Sequence, residues 1–147
     1  TDTKGTGHMV LTPTYHVFNM YKDFQEATYL PMDVKCDSMD VRGDSHAKNG
    51  RKIPVVSTSA AKKADGTIVV SLANVSLDKA QEIEFALDGV QAKTVAGKIL
   101  TCKKVSDFND FEHPEVVKPT TFKDAKLKKN ALKVKIPAKS IVVLKIK

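Results

Sequence analysis

Thr67-Ile68-Val69-Val70-Ser71-Leu72-Ala73-Asn74-Val75 decides the fold. Ile68, Val70 and Leu72 alternate with Val69, Ser71 and Ala73, so neither face of this strand is polar enough to lie in water. It reads as a central strand covered on both sides. Lys63-Ala64-Asp65-Gly66 just ahead of it supplies turn chemistry, and Ile53 to Ala61 resumes the period of two, so the two runs predict a hairpin.

The same alternation returns along the chain. Ile83, Phe85 and Leu87 face inward against Glu82 and Glu84 until Asp88-Gly89 ends the run. Gln91 to Cys102 is a longer strand whose alternation falters near Gly97, where a bulge is expected. Ala125 to Lys128 and Ala131 to Ile136 flank Lys129-Asn130, and Ile141 to Ile146 closes with Val142, Leu144 and Ile146 inward. Tyr29 to Cys36 reads as a first strand with Pro31 near its start, and the polar stretch from Asp37 to Lys52 reads as a loop. The pattern predicts a mainly β chain: an antiparallel, jelly-roll-like β-sandwich preceded by one amphipathic helix.

That helix begins at Thr12-Pro13, a good N-cap followed by a proline whose missing N–H costs nothing in the first turn. Val17, Met20, Tyr21 and Phe24 recur at helical spacing, and Tyr15 and Phe18 widen the stripe. The spacing predicts three to four turns. An apolar arc so broad suggests contact with more than this chain supplies. Ser106 to Pro119 is the longest irregular stretch, with Phe108 and Phe111 among turn-forming residues, and reads as an ordered loop pinned by its rings. Val17, Met20, Tyr21, Phe24, Phe108 and Phe111 are therefore the candidate domain-interface residues.

At 147 residues the chain suits one domain with a real core. No run of about 18 apolar residues or basic, apolar leader occurs, so neither a membrane span nor a signal peptide is expected. The net charge of +7 raises nucleic acid or an acidic polymer as partners. Against this, Lys133 and Lys135 alternate with Leu132, Val134 and Ile136 as a solvated strand face does, and no aromatic platform accompanies them. Cys36 and Cys102 lie far apart without metal-ligand spacing and read as packed thiols.

Glycoside hydrolysis requires two carboxyl groups facing one bond. Glu82 and Glu84 share a strand face, and Glu112 and Glu115 flank His113, yet neither pair lies in a pattern that would raise one pKa. His8, His16, His46 and His113 do not cluster, and Asp107-Phe108-Asn109-Asp110 lacks the glycine and terminal glutamate of a calcium loop. No catalytic, metal or cofactor site is assigned. The absence of tryptophan weighs against a carbohydrate-binding module with its own ligand, the alternative reading.

Four segments in order, Leu11 to Tyr21, Val69 to Asn74, Asn109 to Pro119 and Ile136 to Leu144, resemble the carboxy-terminal part of α-L-arabinofuranosidases of glycoside hydrolase family 51. The resemblance implies a parent enzyme with a (β/α)8 catalytic barrel. Residues 1–28 would be the end of that barrel, its last helix included, and residues 29–147 a β-sandwich accessory domain. It also implies a retaining mechanism with two glutamates upstream of Thr1, so that this chain alone should be inactive. The implied partners are the parent's barrel and, through it, arabinose-containing polysaccharide such as arabinan or arabinoxylan. A strand borrowed from the parent's amino terminus would leave an exposed sheet edge here, prone to self-association. A periplasmic or secreted parent is the expectation for a polymer-degrading enzyme.

Overall fold

The computed structural model describes residues 5, 7–41, 51–128 and 131–147. Helix α1 spans Pro13–Tyr21 and runs into a 3-10 turn, Lys22–Phe24. Thr12 caps it as its sequence requires, its hydroxyl accepting from the Tyr15 N–H at 3.2 Å. Eleven strands follow among the described residues: β1 Thr28–Leu30, β2 Ser38–Val41, β3 Arg51–Pro54, β4 Val56–Lys62, β5 Ile68–Asn74, β6 Gln81–Ala86, β7 Val95–Thr101, β8 Thr120–Phe122, β9 Ala125–Lys128, β10 Ala131–Ile136 and β11 Ser140–Ile146.

They form an antiparallel six-stranded sheet in the order β1-β4-β5-β11-β7-β8, a three-stranded sheet β6-β10-β9, and the β2-β3 hairpin. Strand β5 lies inside the larger sheet, between β4 and β11. Its two faces are buried in different cores. Ile68, Val70 and Leu72 join Val142, Leu144, Ile146, Leu132, Val134 and Ile136 between the two sheets. Val69 joins Leu100, Val143, Val117 and Met20 on the opposite side, under the helix. The β4-β5 hairpin turns at Gly66, whose φ of 84° favours glycine, and Asp65 fixes the turn by accepting from the Thr67 N–H at 2.9 Å.

Several sequence expectations need correction. Strand β1 stops at Leu30, because Pro31 offers no N–H to continue the ladder. The segment read as a loop from Asp37 to Lys52 carries β2 and part of β3 at its ends. Those strands are mostly solvated on both faces and so show no alternation, and residues 42–50 lie outside the described ones. No bulge interrupts β7, which pairs in continuous register with β11 from Val95↔Ile146 to Thr101↔Ser140. Gly97 instead marks a close approach to Leu144 and Phe122. Cys36 packs against the inter-sheet core and Cys102 against the core under the helix, so the two thiols face different layers.

Candidate functional site

The carboxylates are the first groups to place, since hydrolysis would need one of them protonated. Glu84 and Glu82 stand on the outer face of β6, opposite Lys133 and Lys135 of β10, with ion-pair distances of 2.8 and 3.7 Å. The Lys133 hydrogen bond holds the Glu84 carboxyl below its ordinary value. Lys118, 2.7 Å from Glu115, does the same there. Both environments favour the charged form, the reverse of what a general acid needs.

The loop at 106–119 is a set of satisfied turns. Asp107 accepts from the N–H groups of Lys103 and Lys104 at 3.1 and 2.8 Å, and Asp110 from that of His113 at 2.5 Å. Among the described residues, no group of three or more histidine, cysteine or acidic side chains is placed to hold a metal ion. No helix there is long and apolar enough to cross a membrane.

Phe108 and Phe111 do not pin this loop: they are 64% and 54% exposed. The pin is Asn109, only 9% exposed, whose amide bonds Leu11 and Val117, together with the buried Val117 side chain. A polar residue fits here because three backbone groups converge on it, which ring chemistry cannot satisfy.

The helix residues divide. Met20 is 4% exposed and, with the half-buried Val17, Tyr21 and Phe24, packs on Val69, Leu100, Val143 and Val117 of this chain. Four of the six apolar residues of the broad arc thus cover the sandwich's own sheet. Tyr15 and Phe18 are the helix aromatics that face out, Phe18 at 74% exposure. They share the helix with the buried His16, whose ring meets that of Tyr15 edge-on at 5.6 Å. The Asn109 bond to Leu11 holds the loop bearing Phe108 and Phe111 against the start of this helix, where Met9 and Leu11 are also exposed. Tyr15 and Phe18 lie at the margin of the helical stripe, the one signal in the sequence that they are surplus to the core.

The last helical turn is locked by charge. Asp23 reaches Lys145 at 2.8 Å and Lys63 at 3.5 Å, bridging β11 and the β4-β5 turn. Burial works to raise its carboxyl, but the hydrogen bond and charge of Lys145, then Lys63, outweigh this and hold it below its ordinary value.

The described residues thus form a two-layer antiparallel β-sandwich whose larger sheet is covered by one helix, with exposed aromatic rings on that helix and on the 106–119 loop. The family model described as the α-L-arabinofuranosidase C-terminal domain matches residues 2–140, and the chain belongs to that family. It is 51% identical over 138 residues to an intracellular exo-alpha-L-arabinofuranosidase of Bacteroides ovatus, covering 94% of this chain and 26% of that protein. Among solved structures, the GH51 arabinofuranosidase of Xanthomonas axonopodis pv. citri superposes with a TM-score of 0.83 at 34% identity, over 95% of this chain and 27% of that one. The thermostable GH51 enzyme of Thermotoga petrophila shares the fold, with a TM-score of 0.78 at 18% identity over 96% of this chain. The chain thus spans 26% of the Bacteroides relative and 27% of the Xanthomonas one.

Proposed function

We propose that this chain is the non-catalytic carboxy-terminal domain of a retaining α-L-arabinofuranosidase acting on arabinan or arabinoxylan, and that it braces the catalytic barrel preceding it. The observation that carries this is the exposure of four large aromatic rings: Tyr15 and Phe18 on the helix face turned away from the sheet, and Phe108 and Phe111 on the loop that Asn109 ties to Leu11. Large apolar side chains grouped on a surface mark an interaction site. A barrel partner is favoured by the family membership and by the relatives' length, which leaves room for a catalytic portion several-fold larger than this domain.

The acid and nucleophile of the retaining reaction belong to the barrel in this account, consistent with Glu84 and Glu115 being held in their ionised forms by lysines. With residues 1–28 read as the end of the barrel, Val17, Met20, Tyr21 and Phe24 join its last helix to the sheet, while Tyr15, Phe18, Phe108 and Phe111 stand exposed toward the rest of it. The helix is shared between the two bodies.

An open sheet edge accompanies this arrangement. Strand β6 ends the three-stranded sheet, and between its Glu84–Asp88 side and Leu30–Asp33 runs a groove of 410 Å³ floored by Ala60, Ile68, Val70 and Ile146. A strand from the parent's amino terminus would close it, and without one two copies would associate through β6. Light scattering on this chain at rising concentration should show self-association; a strict monomer would argue against the open edge.

Hydrolysis of 4-nitrophenyl α-L-arabinofuranoside tests the main reading. The longer enzyme is expected to release nitrophenol and this chain alone to release none. Turnover by the chain alone would overturn the assignment.

A further inference from the structure

The side chain of Asn109 joins two stretches of chain 98 residues apart. Its amide nitrogen donates to the Leu11 carbonyl and to the Val117 carbonyl, both at 2.8 Å, and its amide oxygen accepts from the Val117 N–H at 2.7 Å. Both donors and the acceptor are used inside a site that water hardly reaches. Leu11 stands immediately before the Thr12 cap, so it belongs to no helix or strand of the sandwich. A bond to its carbonyl does nothing for the two-sheet core. It fixes the direction in which residues 7–11 enter α1.

We infer that Asn109 is an interdomain positioning residue: it ties the segment that enters α1 at Leu11 to the sandwich loop that carries Phe108 and Phe111, so that the helix and that loop keep one register toward the rest of the catalytic portion. The inference rests on the reading that such a portion precedes this chain. The amide is the chemistry the place requires. A carboxylate there would face two carbonyl oxygens, and an aliphatic side chain would leave three backbone groups without partners. The exposed Met9, Leu11, Phe108 and Phe111 surround the latch, so its loss would loosen both halves of the contact together.

The test uses the longer enzyme with Asn109→Ala, digested by thermolysin, which cuts before large apolar residues such as Met9 and Leu11. Cleavage in residues 7–11 should rise about tenfold over wild type, because a segment held by one buried hydrogen bond opens roughly that much more often without it. Should that variant not accumulate as folded protein, Asn109→Ser reads the same segment, since its shorter side chain does not span to Leu11. An unchanged rate, or new cleavage confined to residues 106–119, would overturn the latch and leave Asn109 as a loop residue only. Combined Phe18→Ala, Phe108→Ala and Phe111→Ala separates this from the bracing role. Those changes keep the Asn109 bonds, so an unaltered thermal midpoint there would remove the docking surface while the thermolysin result on Asn109 stands independently.

Discussion

Gly97 lies directly across from Leu144 in the β7-β11 ladder, and a Cβ at position 97 would stand 2.7 Å from the Leu144 Cδ2. Phe122, its partner on β8, closes the other side with its Cβ at 3.1 Å and its ring Cδ1 at 3.2 Å. Three adjacent strands therefore share one position that only hydrogen fills. Gly97→Ala should destabilise the domain by about 1–3 kcal/mol, the ordinary cost of overpacking a filled core. Thermal unfolding reads it, and an unchanged midpoint would mean that Leu144 moves aside freely.

Asp23 should show its ion pairs through pH. Its folded-state carboxyl is held low, so the stabilisation is fully present above the unfolded value of about 3.9 and is lost as pH falls through the lower folded value. Asp23→Asn is expected to cost about 1 kcal/mol at neutral pH, discounted for partly exposed lysines. The gap to wild type should close in strong acid. A gap that persisted there would assign the loss to packing and not to charge.

Asn74 is the knot at the other end of the core. The two N–H groups of its amide are shared among the carbonyls of Lys79, Ile136 and Pro137 at 2.9, 3.2 and 3.0 Å, and its oxygen accepts from the Ser76 N–H at 3.0 Å. Asn74→Ala should cost about 2–3 kcal/mol by leaving buried backbone groups unpaired. Denaturant unfolding gives the number, and a loss under half of this would show that water replaces the side chain.

The surface carboxylates are expected to be silent in catalysis. Glu84→Gln and Glu115→Gln in the longer enzyme should leave kcat and KM at wild-type values. A fall in kcat of about a hundredfold or more in either would place a proton-transfer group on this domain.

Strands β5 and β11 were legible because burial on both faces wrote itself into consecutive apolar residues, and β10 because its one solvated face gives strict alternation. Strands β2 and β8 were not: the first is solvated on both faces, and the second is three residues long behind Pro119. Gly97 broke the alternation for a reason sequence alone does not separate from a bulge, since both need a missing Cβ. The aromatics of the 106–119 loop misled in the same way. A phenylalanine among turn residues looks like an anchor, but whether its ring turns in or out depends on Asn109 having already tied the loop down. For the helix, spacing marked which residues are apolar, while their division between the sheet and the outside depended on where the sheet ends.

The most direct measurement is differential scanning calorimetry of the longer enzyme with Phe18→Ala, Phe108→Ala and Phe111→Ala combined. All three rings are exposed in this domain, so its own core should not register their loss. If the domain braces a catalytic portion through them, the unfolding midpoint falls by several degrees or the single transition splits into two. An unchanged single transition would contradict the account.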